Sequence, residues 1–174
     1  GVFDHTSLLS SFLERIFTVP KKNLKAKQMN PAKMNGLDLL NAMIDGEFPE
    51  PGMGKTMNLR PIEAKLGYAK FSAMAGKEHL NPMGGVHGGF ACTVLDSVTG
   101  CAVHSMLEAG DQYGTIDINV KMMRPIPVGK ILYAESHVIN MSKSLGVSEA
   151  KLVDEEGKLY AYASCTCKVT RAAQ

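Results

Sequence analysis

Strand-like patterns of apolar and polar residues dominate the C-terminal half of the chain. They fill four segments, at residues 115–123, 130–140, 145–154 and 158–170. The first segment alternates with period two, as half-buried strands do. Its predicted faces are Ile116, Ile118, Val120 and Met122 on one side and Thr115, Asp117, Asn119 and Lys121 on the other. The turns are short, so we expect neighbouring strands to be antiparallel.

Residues 88–107 are apolar around nearly the whole circumference of a helix, which would be about 30 Å long. Such a helix is buried in a protein core or in a membrane. Asp96, His104 and several hydroxyl side chains argue against a membrane span. The strands on either side, including an extended segment at 57–75, supply a better burial. We therefore predict an α+β fold in which an antiparallel sheet wraps around one long central helix.

The N-terminal third of the chain has a different character. Residues 3–17 have a helical pattern, and residues 18–35 are basic and polar, which suggests a helix and a connecting arm. Residues 36–46 predict a short amphipathic helix that ends at a glycine. We divide the chain into an N-terminal helical extension, 1–35, and a single domain, 36–174.

Composition and charge narrow the range of functions. With 174 residues and 45% apolar side chains, the chain can bury a hydrophobic core. Its net charge of +2 is too small to indicate nucleic-acid binding. We expect no signal peptide, and the four cysteines lack zinc-finger spacing. We expect a cytoplasmic protein with reduced cysteines that binds no metal, membrane or nucleic acid.

The stretch GMGKT at 52–56 resembles part of a phosphate-binding P-loop. That motif requires a glycine five residues before the glycine of GKT, and Pro49 stands there. No predicted strand precedes the stretch. We therefore reject a nucleotide-binding function for it.

Two features of the central helix could take part in chemistry. Its start at Gly88 and Gly89 leaves backbone N–H groups unpaired and lets another atom approach closely. This arrangement suits a polarised carbonyl oxygen, although the glycines could equally just ease a tight turn into the helix. Asp96 is costly in an apolar helix unless it is paired or functional. Burial would tune it as a general base; the alternative is a structural Asp bonded to backbone across an interface.

The spacing of Gly88 and Asp96 bears on the oligomeric state. They are eight residues apart, which is about 12 Å along a helix. That distance is too long for both groups to act on one carbonyl. If they cooperate, the carboxylate must come from a second chain whose helix runs antiparallel to the first. The spacing therefore predicts a two-fold homodimer with two shared sites.

The sequence resembles the hotdog-fold acyl-CoA thioesterases of the phenylacetate-degradation (PaaI-like) type, over about residues 36–170. The resemblance is carried by Asn81, by His87-Gly88-Gly89 six residues later, and by Asp96 in LDS. It continues through GTIDINVKMMRP and GKLYAYASCTC. It implies a hotdog fold and hydrolysis of acyl-CoA thioesters to free acid and CoA. We predict a homodimer or a dimer of dimers, a homotetramer, with no cofactor besides the coenzyme A of the substrate.

The resemblance also implies roles for single residues. The Gly88 N–H, helped by Asn81, would bind the thioester oxygen, and Asp96 would activate water or attack the carbonyl itself. Thr115 would help to hold the water. His87 would shape the loop and touch the thioester region. Judged from the residues alone, Thr115 could equally be an ordinary strand residue, and a structural role suits His87 better than a chemical one.

Coenzyme A requires contacts to its phosphates. The resemblance points to the hairpin MSKSLG, where relatives often carry a glycine followed by a basic residue. Here Ser142 replaces that glycine, and Lys143 follows it. We predict substrate contacts from Lys143, Ser144, Arg124 and the backbone of Gly89, although an arginine at a strand end is usually just solvated.

Two functions other than hydrolysis are consistent with the sequence. An acyl-thioester hydratase or dehydratase needs a histidine placed against an acid to move a proton from carbon, and the His-Gly-Gly loop fits that chemistry less well. A non-catalytic acyl-CoA-binding protein would keep the pocket without needing Asp96. The presence of Asp96 therefore favours an enzyme.

Overall fold

The computed structural model describes residues 30–173. Its α-helices are α1 (Gly36–Ile44), α2 (Gly52–Thr56) and α3 (Gly88–His104), with single 3-10 turns at Pro31–Lys33 and Lys77–His79. The predicted helix at 3–17 and most of the basic arm lie outside the described residues. The proposed domain boundary at residue 35 therefore stays a prediction.

The first helix, α1, confirms the short amphipathic helix predicted at 36–46. Asn35 caps its start, because the Asn35 side-chain oxygen accepts a hydrogen bond of 2.8 Å from the Asp38 N–H. Such caps satisfy backbone donors that the first helical turn leaves unpaired. The helix is followed by Gly46, whose φ of 76° is a conformation that glycine adopts without strain.

Within the described residues, six strands form one antiparallel sheet in the order β1-β2-β4-β5-β6-β3. The strands are β1 (Leu59–Lys65), β2 (Tyr68–Met74), β3 (Gln112–Met122), β4 (Ile131–Met141), β5 (Leu145–Val153) and β6 (Leu159–Thr170). The extended segment predicted at 57–75 is thus a hairpin. It turns at Gly67, where φ is 73°.

The pairing of strands follows chain order only in part. As predicted, β4, β5 and β6 pair antiparallel with their neighbours in sequence. The expectation is wrong for β3, which pairs with β6 at one edge of the sheet instead of with β4. The link from β3 to β4 contains Pro125 and Pro127, which cannot donate hydrogen bonds to a strand ladder. The chain crosses there, so β3 becomes an edge strand.

The long helix α3 forms the centre of the core, and the sheet wraps around it as predicted. Val94, Leu95, Val98 and Ala102 have no exposed surface. The helix ends at His104, before the predicted end at residue 107. The N–H groups of Met106 and Leu107 instead donate to the carbonyls three residues earlier, which tightens the chain into a turn.

A β-bulge changes the predicted faces of β3. Thr115 pairs with Cys167 while Asp117 pairs with Thr166, so Ile116 is an extra residue in the strand. The assignment of Thr115 and Ile118 to opposite faces is therefore wrong, because one inserted residue reverses the alternation. Thr115 faces α3, whereas the side chain of Ile116 is 61% exposed.

Candidate active site

The loop before α3 is organised by the side chain of Asn81. Its amide oxygen accepts hydrogen bonds from the N–H groups of Met83, at 2.9 Å, and Gly85, at 3.2 Å. A backbone bond of 2.8 Å from the Asn81 N–H to the Gly85 carbonyl closes the turn. Asn81 does not line the cavity beside Gly88. Its observed role is to shape the loop, and its predicted help in binding a thioester oxygen stays a prediction.

His87 forms the cap of α3. Its φ and ψ of −63° and 136° lie outside the helical region, and its Nδ1 accepts a hydrogen bond of 2.8 Å from the Gly89 N–H. The Gly89 N–H is therefore occupied within the chain, which disfavours its predicted backbone contact with substrate. The Gly88 N–H differs: no described residue outside the helix accepts from it, and its position in the first turn leaves it without a helical acceptor.

A cavity of about 290 Å³ opens beside Gly88, and we call it the Gly88 cavity. Its lining includes His87, Gly88, Met122, Arg124 and Tyr160. A Cβ on Gly88 would lie 2.8 Å from the sulfur of Met122, so glycine keeps this wall open. The Arg124 guanidinium donates a hydrogen bond of 2.6 Å to the Leu159 carbonyl, which holds it at the cavity. The cavity thus combines a free backbone donor with a cation.

Asp96 lies near the middle of α3, on the side that faces β3. One of its carboxylate oxygens accepts a hydrogen bond of 2.8 Å from the Thr115 hydroxyl. The expectation that the apolar helix buries Asp96 is wrong for the single chain, in which Asp96 is exposed. The reason is that β3 is an edge strand, and nothing in the described part of the chain covers the sheet beyond it.

Thr115 reaches Asp96 because of the bulge in β3. Its hydroxyl oxygen also lies 3.9 Å from the sulfurs of Cys165 and Cys167, which fill the core behind it. The hydroxyl donates to the carboxylate, so the contact observed for Thr115 holds Asp96. Its predicted contact with a catalytic water stays a prediction.

Thiols form the apolar side of the Asp96 region. Burial raises the pKa of the Cys101 thiol to about 12, so that thiol stays neutral at physiological pH. Cys165 and Cys167 are buried on one face of β6, with their sulfurs 3.8 Å apart. Their mutual hydrogen bond lowers the pKa of Cys165 and raises the pKa of Cys167.

A second cavity, of about 300 Å³, lies beside Asp96, and we call it the Asp96 cavity. It is lined by residues of α1, α2, β1, β2, α3 and β3, among them Met43, Met53, Phe71, Asp96, Cys101 and Thr115. It shares no lining residue with the Gly88 cavity. A single chain therefore does not bring Gly88 and Asp96 to one cavity, in keeping with their separation along the helix.

The residues predicted to contact the phosphates are also divided between the Gly88 side and the Asp96 side of the chain. Lys143 and Ser144 form the exposed turn between β4 and β5, where the Arg171 guanidinium donates to the Lys143 carbonyl at 3.1 Å. Gly146, just beyond this turn, pairs with Cys167, which pairs in turn with Thr115. The turn thus lies toward the Asp96 side of the sheet. Arg124 lines the Gly88 cavity, so one chain does not bring it together with Lys143.

Comparison with known proteins identifies the family. Residues 83–161, which include the His87-Gly88-Gly89 turn, Asp96 and Thr115, match the family model of the thioesterase superfamily. Human acyl-coenzyme A thioesterase 13 is 30% identical over 125 residues, which is 71% of this chain and 86% of the human protein. The chain belongs to the thioesterase superfamily. The prediction that it is a thioester hydrolase is thereby confirmed.

Solved structures agree with the fold of this thioesterase. A phenylacetic acid degradation-related protein from Ralstonia eutropha JMP134 is 28% identical, with a TM-score of 0.68 over 74% of this chain and 98% of that one. The PaaI protein of the E. coli phenylacetic acid degradation operon is 20% identical, with a TM-score of 0.67 over 80% and 94%. These similarities confirm the predicted hotdog fold and the PaaI-like resemblance.

The described residues also bear on membrane and metal binding. Between residues 30 and 173, no helix has the length and apolar character needed to cross a membrane. The same part of the thioesterase contains no group of three or more His, Cys, Asp or Glu side chains placed to hold a metal ion.

The outer wall of the Asp96 cavity was not predicted from the sequence. Met43, Met53 and Leu59 come from three elements that precede the motif by tens of residues. The stretch GMGKT, which superficially resembles a P-loop, is helix α2 in this wall. Neither apolar period nor motif spacing marks these residues, because they meet only through tertiary packing. Met122 was placed on the apolar face of its strand by alternation, but nothing indicated its contact with Gly88.

Proposed function

We propose that this thioesterase hydrolyses acyl-CoA thioesters in two active sites, each shared between two chains of a homodimer. The observation that carries this proposal is the separation of Gly88 and Asp96 into two cavities with no common residue. A second chain is needed to bring a carboxylate to the Gly88 N–H. The human relative is named an acyl-coenzyme A thioesterase, which supports acyl-CoA as the substrate class.

The exposed edge of the sheet supports the position of the second chain. Ile116 and Met122 on β3 are 61% and 54% exposed, and Met83 in the loop before α3 is 92% exposed. Exposed apolar side chains on an edge strand mark a surface that another chain can cover. Two-fold pairing along this edge would place two α3 helices antiparallel, with Asp96 of each near Gly88 of the other. A dimer of dimers stays a further prediction.

Binding would polarise the thioester before the chemical step. Its carbonyl oxygen would accept a hydrogen bond from the Gly88 N–H, which has no described acceptor outside the helix. Negative charge on that oxygen is favoured at the start of a helix, where backbone dipoles point their positive ends. The Gly89 N–H already donates to His87, so Gly88 is the donor left for the substrate.

Hydrolysis would then proceed through a tetrahedral intermediate. Asp96 of the second chain accepts a proton from water through the oxygen that does not bind Thr115, while the water oxygen attacks the thioester carbon. The intermediate collapses, the carbon–sulfur bond breaks, and the CoA sulfur leaves with the electron pair. The proton held by Asp96 can neutralise the CoA thiolate, so the products are a free acid and a thiol.

Asp96 could instead attack the thioester carbon itself and form an acyl anhydride. A single turnover in H₂¹⁸O detects attack by Asp96 when water then adds at the Asp96 carbonyl. General-base catalysis places the label in the released acid. Attack by Asp96, followed by water addition at the Asp96 carbonyl, places the label in the protein.

Phosphate contacts in the shared site would come from both chains. The Gly88 side of one chain carries Arg124, and the Asp96 side of the other carries the turn with Lys143 and Ser144. Antiparallel pairing brings these two sides toward each other. One CoA could therefore meet two cations that lie on different sides of a single chain.

The direct test is a hydrolysis screen of purified protein against short, medium, long and aryl acyl-CoAs, with detection of the free thiol. We expect turnover of at least one class and release of CoA in equal amount to free acid. Double-bond hydration of an enoyl-CoA without thiol release would favour the hydratase. Tight binding of acyl-CoA without any turnover would favour the binding protein.

A further inference from the structure

The Asp96 cavity contains features that the catalytic groups do not require. Its floor is α3, from Asp96 to Cys101, and its walls are the segment from Met43 to Pro61 together with Phe71 and Tyr113. Gly100 permits this arrangement, since a Cβ there would lie 2.9 Å from the Tyr113 ring. The cavity thus begins at the carboxylate and extends under side chains of the same chain.

From this we propose that the chain that supplies Asp96 also binds the acyl group, and that its cavity accepts an uncharged acyl group of up to about ten carbon atoms. The inference rests on the proposed function. The chain that supplies Gly88 would then hold the thioester oxygen and one side of CoA. Acyl preference and carbonyl polarisation would be properties of different subunits.

Charge selects the class of acyl group. Among the described residues that line the cavity, the charged ones are Glu50 and Asp96, and both are acids. Glu50 forms an ion pair with Arg60, 3.5 Å away, and Arg60 does not line the cavity. A second carboxylate on the acyl chain would therefore face the like charge of Asp96 and find no cation among the described lining residues, which is unfavourable. The cavity therefore suits an uncharged acyl group.

The volume of the cavity sets the upper limit on the acyl group, and its flexible side chains set the range of shapes that it accepts. The cavity volume is about 300 Å³. A water molecule takes about 30 Å³ in the liquid, and a methylene group is of similar size, so at most about ten carbon atoms fit. Met43, Met53 and Cys101 contribute sulfur to the lining. Flexible, polarisable side chains adapt to different apolar shapes, which favours a range of chain lengths below the limit.

The test uses dimers that retain one complete site. A chain carrying Gly88→Pro, which supplies only Asp96, is paired through a different affinity tag with a chain carrying Asp96→Asn, which supplies only Gly88. Met53→Trp is then added to one chain or to the other. Met53 is 57% exposed, so the larger ring can narrow the cavity without disrupting the core. The measured quantity is kcat/KM for octanoyl-CoA divided by kcat/KM for acetyl-CoA.

We expect this ratio to fall at least about five-fold, the loss of roughly one or two buried methylene groups, when Met53→Trp is on the chain that supplies Asp96. On the chain that supplies Gly88, the same substitution should leave the ratio unchanged. The matched control is Leu66→Trp on either chain, because Leu66 is 69% exposed in the β1–β2 turn and lines neither cavity. A ratio that follows the other chain, or both chains equally, overturns the inference.

Two measurements on the wild-type protein complete the test. Succinyl-CoA should be hydrolysed at least about ten-fold less efficiently than butyryl-CoA, which has the same number of carbons without the second charge. Efficiency should stop rising beyond about ten acyl carbons. Equal rates on the first pair, or a steady rise to hexadecanoyl-CoA, overturns the inference. A wild-type protein that hydrolyses no acyl-CoA overturns the proposed activity with it. An active wild type with inactive mixed dimers instead overturns the shared site and the division between subunits, and leaves the hydrolytic activity standing.

Discussion

The regions around Gly88 and Asp96 lie on the same helix but are held by different kinds of contact. The Gly88 region is local: Asn81 holds the loop and His87 caps the helix through bonds within five residues. The Asp96 region is assembled from distant segments, with Thr115 nineteen residues away and Met43 in the first helix. The first presents a free N–H donor, whereas the second presents an exposed carboxylate at the sheet edge.

We infer from this difference that one chain fixes the position of each group, whereas a complete site needs a second chain. Local hydrogen bonds fix the Gly88 N–H without help from another chain. Asp96 has one oxygen fixed by Thr115, while the exposure of the carboxylate leaves the other open to a partner. We therefore expect substitutions in the two regions to differ in size and kind of effect.

The largest effect should come from the Asp96 region. Asp96→Asn should lower turnover on the best acyl-CoA by roughly 10²–10⁴-fold, the usual contribution of a positioned base. Folding should survive, because asparagine is nearly isosteric and Asp96 is exposed. Turnover is measured by thiol release and folding by circular dichroism. A folded variant within a few-fold of wild type would mean that Asp96 is structural.

The next effect should come from the Gly88 region. Gly88→Pro removes the N–H and should lower turnover by roughly 10²–10³-fold, the cost of losing one oxyanion donor. Proline is tolerated at the first position of a helix. The extended ψ of 136° at His87 is also the conformation favoured before proline.

Gly88→Ala is the matched control for this substitution. It adds the Cβ that meets the flexible end of Met122 but keeps the N–H. We expect a loss of only a few-fold in kcat from it. Equal losses from alanine and proline would show that the space at Gly88 matters, and that its N–H does not.

A smaller effect should come from the hydrogen bond that orients Asp96. Thr115→Val keeps the shape of the side chain and removes the donor, so kcat should fall about ten- to hundred-fold, the range for a hydrogen bond to a charged group. Thr115→Ser keeps the hydroxyl and should retain most of the activity. If serine and valine variants lose activity equally, the methyl packing against the two cysteines is the important contact.

The smallest effect should come from the turn between β4 and β5. Lys143→Ala should raise KM for CoA esters about two- to five-fold, since an exposed ion pair contributes less than about 1 kcal/mol. A truncated pantetheine thioester, which lacks the nucleotide phosphates, should be unaffected. Lys151→Ala, at another exposed lysine, is the control. Equal effects of Lys143→Ala on both substrates would remove Lys143 from the ligand site.

The same contrast explains how much the sequence could predict. The loop and α3 are encoded locally, so the spacing from Asn81 through His87 to Asp96 identified them. The bulge in β3 was hidden because the extra residue, Ile116, is itself apolar and continues the alternation in sequence. The exposure of Asp96 follows from the edge position of β3, which depends on a crossing that turn length does not determine.

The walls of the Asp96 cavity were also beyond sequence patterns. Met43, Met53 and Phe71 belong to separate elements, and each has an apolar side chain that any core position would accept. Their common position depends on the packing of α1 and α2 over the sheet. Sequence patterns also failed to separate the phosphate contacts. Arg124 and Lys143 were both predicted to contact the substrate, but they lie on different sides of the chain.

The central claim is that Gly88 and Asp96 of one working site belong to different chains, and chain mixing tests it most directly. Equal amounts of the Gly88→Pro and Asp96→Asn proteins are allowed to exchange subunits, with exchange confirmed by native mass spectrometry. Random pairing makes about half of the dimers mixed, each with one complete site, so activity should recover to about a quarter of wild type. Activity no higher than the average of the two parents, after confirmed exchange, would contradict the shared site.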